Sequence, residues 1–139
     1  MKLDHIGIAV RSLAQALKFY RDTLGLQVAG FETLPGEKVR LAMLPLGETR
    51  LELIEATAAD SPIARFLEKH GEGLHHIAFE VEQLPNCLQQ LEAAGIRVIA
   101  PKAAAGAGGQ RYVFLHPASC GGVLVELVEA RHTAGRKTG

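Results

Sequence analysis

The sequence has no tryptophan, two tyrosines and two cysteines among 139 residues, and its fifteen basic and fifteen acidic residues cancel to a formal charge of zero. Each scarcity removes a class of function. Two cysteines, Cys87 and Cys120, with no CxxC pair between them, imply no disulfide framework and suit a reducing compartment, the cytoplasm. Balanced charge with no long run of either sign offers little to phosphates or an anionic membrane, so neither nucleic acid nor a lipid surface is an expected partner. The apolar stretches are short, and Met1-Lys2-Leu3-Asp4-His5 interrupts any signal-type hydrophobic region. The shortage of large aromatic rings also argues against a cup built to stack flat ligands without catalysis.

What is present is one pattern written twice. An alternating strand carrying a histidine, Leu3-Asp4-His5-Ile6-Gly7-Ile8-Ala9-Val10, returns as Leu74-His75-His76-Ile77-Ala78-Phe79-Glu80-Val81, with His5 and His76 offset by 71 positions. A strand carrying a glutamate, Leu51-Glu52-Leu53-Ile54-Glu55-Ala56, returns as Val125-Glu126-Leu127-Val128-Glu129-Ala130, with Glu52 and Glu126 offset by 74. The repeat is almost in register over its whole length. A single repeat of about 65 residues would be marginal alone, whereas the pair can share one sizeable core.

Between these strands, Ser12 followed by Gln15 reads as a capping box, with Leu13, Ala16, Leu17, Tyr20 and Leu24 at helical spacing and Gly25 as the stop. The second copy places Pro85 in the first turn, Leu84, Leu88 and Leu91 on one face, and Gly95 at the end. Strands are expected over 27–32, 39–44 and 50–55, then over 96–100, 112–116 and 122–128, so each half reads βαβββ. The elements expected are α+β, arranged as two tandem βαβββ modules. They form a single domain over 1–130, with module one about 1–57, a linker helix about 61–70 capped at Ser61-Pro62, and module two about 73–130. The glycine- and alanine-rich run 103–110 reads as a mobile loop and 131–139 as a flexible tail.

Alternation decides which way the candidate ligands point. Ile6, Ile8 and Val10 share the face suited to helix packing, while His5 shares the other with the small residues Gly7 and Ala9; His76 stands likewise opposite Ile77 and Phe79. Glu52 alternates with Leu51 and Leu53, and Glu126 with Val125 and Leu127. Singly, a strand histidine is ordinarily a hydrogen-bonded structural residue and such a glutamate the wet face of a sheet. Coincidence of type and place in both repeats is what solvent exposure does not predict. Two imidazoles and two carboxylates balance one divalent cation per chain, and mixed nitrogen and oxygen donors suit cobalt, nickel, zinc or manganese better than calcium. The donors alone do not choose among these four, and cobalt is taken as the favoured candidate. In an octahedral ion, four protein ligands leave two positions for a chelating substrate, an open and catalytic kind of site. His75 must point the other way from His76 and reads as second-sphere or structural. His116 closes a strand, and His70 and His132 lie at a helix end and in the tail.

At these residues the chain resembles the vicinal oxygen chelate superfamily, and within it the methylmalonyl-CoA epimerases. The resemblance runs from Leu3 to Ala130 and is carried by LDHIGIAV with FYRDTLGL, by DSPIARFLEKHGEGLHHIAFEV and by FLHPASCGGVLVELVEA. It implies that the two modules form a cupped eight-stranded mixed sheet around a metal site held by His5, Glu52, His76 and Glu126, with a homodimer and an acyl-CoA substrate inverted at the carbon between thioester and carboxylate. Such chemistry needs a Lewis acid to stabilise the enolate and two groups to carry the proton on opposite faces. Some family members place a further glutamate base at the position aligned, by the following proline, with Arg40. Arginine cannot serve as that base. The resemblance thus leaves Glu126 and Glu52 as the two proton carriers, with Arg40 meeting a substrate carboxylate or a coenzyme A phosphate, or simply solvated. A lactoylglutathione lyase would use the same four side chains, and a sequestering protein of the same fold would use none of them.

Overall fold

A computed structural model describes residues 1–105 and 109–131 of the chain. The element order is βαβββ twice with a helix between, and the chain divides into two compact units, Leu3–Ala78 and Phe79–Gly139 with Met1–Lys2. The eight strands form a mixed sheet, so the α+β class is met.

In the first unit the strands are β1 (Lys2–Ala9), β2 (Gly30–Leu34), β3 (Val39–Leu46), β4 (Thr49–Ala56) and the start of β5 (Gly73–Val81). Their order is β2-β3-β4-β1-β5, with β1 parallel to β4 and β3 antiparallel to both β2 and β4. Alternation sorts their side chains as expected. Ile8 of β1 and Val10 just after it, Leu51 and Leu53 of β4, and Ala42 and Leu44 of β3 pack on Leu13 and Leu17 of α1 (Leu13–Leu17). Leu53 and Leu44 are fully buried, and truncating either to alanine would cost about 2 to 5 kcal/mol through lost transfer and a residual cavity.

Helix α1 starts where Ser12 Oγ accepts the Gln15 amide at 3.2 Å. The rest of the expected capping box is replaced by a longer-range partner: the Leu13 amide donates to Glu55 Oε1 at 2.6 Å, from the helix-facing side of β4. After Leu17 the helix widens into a π turn over Lys18–Thr23, in which the Leu24 amide reaches the Phe19 carbonyl at 2.8 Å. The extra residue rotates the apolar stripe. Leu24, expected on the packed face, stands 54% exposed, and Leu26 and Val28 pack against the core instead. That segment belongs to no strand, so β2 begins three residues later than position 27. The connecting helix α2 (Pro62–His70) forms where expected, with buried Ser61 Oγ accepting the Ile63 amide at 3.1 Å.

The second unit repeats the plan. Helix α3 (Leu84–Ala93) lays Leu84, Leu88 and Leu91 on a core of Val113, Leu115, Val125 and Leu127 from β7 (Arg111–Leu115) and β8 (Val125–Glu129). Its first amide, that of Leu84, donates to Glu129 Oε2 at 3.0 Å, the counterpart of the Glu55 contact. The order runs from the end of β5 through β8 and β7 to β6 (Val98–Ala105). Two expectations are corrected here. Positions 103–105 are strand rather than loop, because the backbone at Ala104 and Ala105 pairs with Tyr112 and Arg111 after a shift of register beyond Ile99. Strand β8 starts at Val125 rather than 122, because Gly121 and Gly122 hold φ of 68° and 92° in the preceding turn. The centre of the expected mobile loop, 106–108, and the tail from His132 lie outside the described residues. Among the described residues no helix is long and apolar enough to cross a membrane.

Candidate metal centre

Three of the four side chains singled out in the sequence converge within the first unit. One donor atom from each of His5, Glu52 and His76 lies within 4.8 Å of the other two, and all three residues are buried. The parallel pairing of β1 with β4 sets Gly7 opposite Glu52 and His5 opposite Arg50, so these positions share the face away from α1. His5 Nε2 stands 3.1 Å from His76 Nε2 and 3.4 Å from Glu52 Oε1. The two rings meet edge to face, their centroids 5.1 Å apart.

Small residues make this approach possible. A Cβ at Gly7 would stand 2.2 Å from His76 Cε1, so the imidazole occupies the space that glycine leaves.

The second layer around the donors is polar and was not legible in alternation alone. Asp4 is buried beside His5, and its Oδ2 lies 2.7 Å from His5 Nδ1. A hydrogen on Nδ1 turns the Nε2 lone pair toward Glu52 and His76, the carboxylate–histidine arrangement that orients metal ligands. Arg50 donates from Nε at 3.0 Å and from Nη2 at 2.7 Å to Glu52 Oε2, and Nη2 lies 3.3 Å from Asp4 Oδ2. A local signal existed for both residues, an aspartate directly before the strand histidine and an arginine two before the strand glutamate.

His75 corrects an expectation. Its ring does not turn away, for its Nδ1 lies 2.8 Å from His76 Nδ1. The chain of rings continues to Phe66 of α2, edge to face with His75 at 4.9 Å between centroids, and to His70 at 4.9 Å from Phe66. His75 therefore supports His76 as His5 is supported by Asp4.

Glu126 is buried on β8 of the second unit, in register with Phe114, while Val125 and Leu127 face the α3 core. The three converging donors belong entirely to the first unit. Arg40 sits on the other face of the first unit's strands from Glu52, in register with Glu55, and its guanidinium lies 4.8 Å above the Phe31 ring. His116 Nδ1 accepts the Ala118 amide at 3.0 Å and serves a turn. Cys87 and Cys120 are half-buried free thiols against the second core.

Two imidazole nitrogens and one carboxylate oxygen, each oriented by a hydrogen-bonded neighbour, fit a divalent ion of borderline softness. The fit rests on the observed convergence and on Asp4. Residues 4–114 match the profile of the glyoxalase/bleomycin resistance protein/dioxygenase superfamily. The chain belongs to that superfamily.

Within the superfamily, several similar proteins are epimerases. The chain is 42% identical to mouse mitochondrial methylmalonyl-CoA epimerase, over 93% of this chain and 73% of the mouse protein. It is 41% identical to the ethylmalonyl-CoA/methylmalonyl-CoA epimerase of Cereibacter sphaeroides, over 91% of this chain and 96% of that one. Among solved structures, a variant of Streptomyces coelicolor methylmalonyl-CoA epimerase in complex with 2-nitronate-propionyl-CoA matches with a TM-score of 0.90 and 38% identity, over 95% of this chain and 99% of that chain.

Proposed function

We propose that this superfamily member is a methylmalonyl-CoA epimerase, an isomerase that inverts the carbon between the thioester and the carboxylate of its substrate. The observation that carries the reading is similarity to an epimerase over 93% of this chain together with the convergence of His5, Glu52 and His76. In this reading Glu126 is the fourth metal ligand, supported by its burial and by its place in the repeat. The ion proposed is cobalt, with nickel, zinc and manganese as alternatives that the mixed donor set suits as well. The chain works as a homodimer in the cytoplasm, supported by the family resemblance and by its two free thiols.

The bound ion supplies Lewis acidity, lowering the cost of the negative charge that develops when the α-proton leaves. The protein supplies the rest. Epimerisation needs a group on each face of the reacting carbon, one taking the proton and one returning it, and Glu52 and Glu126 are the carboxylates assigned. Arg50 keeps hold of Glu52 Oε2, so Oε1 is the atom that meets the ion or the proton. Burial of the donors keeps bulk water from competing for the ligand positions.

Racemic or single-isomer methylmalonyl-CoA in deuterated water tests the proposal, with mass spectrometry following deuterium at the α-carbon. The expected result is metal-dependent exchange with inversion, and none of the conversion of the methylglyoxal–glutathione hemithioacetal that a lactoylglutathione lyase performs. Turnover of the hemithioacetal without exchange at methylmalonyl-CoA would overturn it. A panel including ethylmalonyl-CoA resolves the acyl group, since one methylene is weakly discriminated by an apolar pocket.

A further inference from the structure

We infer that Arg50 is a positioning residue that sets how the metal centre is assembled, confining Glu52 to a single ligand oxygen and steering His5 through Asp4. The inference rests on the reading that His5, Glu52 and His76 hold a metal ion, and it assigns a role to a residue that touches none of the reacting atoms.

The geometry is specific. Arg50 lies opposite His5 in the β1–β4 register and two residues before Glu52, so strand periodicity puts all three on one face. Its Nε and Nη2 both donate to Oε2 of Glu52, at 3.0 and 2.7 Å, and Oε1 is left facing His5 Nε2 at 3.4 Å. A carboxylate with one oxygen committed to a guanidinium offers a metal the other oxygen alone. The same Nη2 lies 3.3 Å from Asp4 Oδ2, the atom that holds His5 Nδ1 at 2.7 Å. One guanidinium thus ties two ligands together, Glu52 directly and His5 at one remove.

Charge alone would not achieve this. Asp4 and Glu52 are both buried, while the Arg50 side chain is 23% exposed, so the arginine reaches in from the edge to neutralise both carboxylates. Its planar fork donates in two fixed directions, whereas a lysine at the same place would be a compact point charge without that plane. A Glu52 released from Arg50 could grip the ion with both oxygens and take a coordination position that an open site keeps for substrate.

The test loads wild-type protein, Arg50→Met, Arg50→Lys and Asp4→Asn with cobalt(II) and records the visible ligand-field spectrum without substrate. Cobalt affinity is measured alongside by competition with a chromophoric chelator, and far-ultraviolet dichroism of the metal-free proteins checks the fold. Arg50→Met is expected to shift the band positions and intensity, as the ligand count changes. Arg50→Lys is expected to share that altered spectrum, and added guanidinium to return Arg50→Met toward the wild-type spectrum. Asp4→Asn keeps the Arg50–Glu52 contact, so it is expected to weaken affinity by about 10- to 100-fold with a smaller spectral change. A wild-type spectrum in either Arg50 variant overturns the inference: in Arg50→Met the residue would be idle, and in Arg50→Lys only its charge would count. If Arg50→Met does not fold, the Arg50→Lys spectrum decides. Failure of wild-type protein to take up cobalt, nickel, zinc or manganese would instead overturn the metal reading, and this inference with it.

Discussion

His76 fills the space that a side chain at position 7 would need: a Cβ on Gly7 would stand 2.2 Å from Cε1 of its ring and 2.7 Å from its Nε2. Contacts that short cannot persist, and the imidazole, not the paired backbone of β1, is the part able to move. Gly7→Ala is therefore expected to push His76 out of line with His5 and Glu52 while the strands remain paired. Chelator competition should show metal affinity lowered by about 10-fold or more, the range for disturbed ligand orientation. Unchanged affinity with an intact fold would mean that His76 is not a ligand.

The same pairing of strands explains what the sequence could and could not reveal. Period-two alternation is enough to put His5, Glu52 and His76 on the face opposite Leu51, Leu53 and Val10, because a sheet buried against a helix permits no other register. It fails at Asp4 and His75, each the direct neighbour of a ligand. Alternation turns both away, yet Asp4 Oδ2 lies 2.7 Å from His5 and His75 Nδ1 lies 2.8 Å from His76. Alternation describes where a Cβ points, and a side chain with two or more free torsions can fold back across its own strand. The π turn is illegible for a different reason. One inserted residue in a helix leaves the local spacing of Leu13, Ala16, Leu17 and Tyr20 intact and rotates only the positions beyond the turn, which is why Leu24 stands exposed rather than packed.

Glu52 gives a test that separates ligand from proton carrier. Glu52→Gln keeps one carbonyl oxygen able to bind a metal, gives up the second oxygen that accepts from Arg50, and loses the capacity to carry a proton at neutral pH. Deuterium exchange is expected to persist from one isomer of the substrate and to stop from the other, with epimerisation falling below detection. Exchange from both isomers would remove Glu52 from the proton relay and leave it a ligand alone.

Glu55 makes a prediction about stability alone. Its carboxylate accepts the Leu13 amide at 2.6 Å from the helix-facing side of β4, at the positive end of α1. Glu55→Ala leaves that amide without its partner and is expected to lower stability by about 1 to 2 kcal/mol, as a lost helix cap does. Urea unfolding reads it as a lower midpoint with an unchanged slope. Metal affinity should not change. A drop in metal affinity would show that Glu55 acts through β4 on Glu52.

Metal removal connects the centre to the fold. His5 and His76 come from β1 and β5 and Glu52 from β4, three neighbouring strands of the first unit, so an ion bound to all three would bind the folded state and not the unfolded chain. An ion at 100 times its dissociation constant then adds about 2.7 kcal/mol to stability by mass action. For a chain of this size that is a rise in Tm of about 5 to 11 °C, allowing 2 to 4 °C per kcal/mol. Thermal unfolding of chelator-treated protein, repeated with graded cobalt, is expected to show this rise and its dependence on concentration. In Gly7→Ala the same additions should shift Tm less, because the displaced imidazole weakens the binding that supplies the gain. Equal shifts in both proteins would place the stabilising ion elsewhere on the chain.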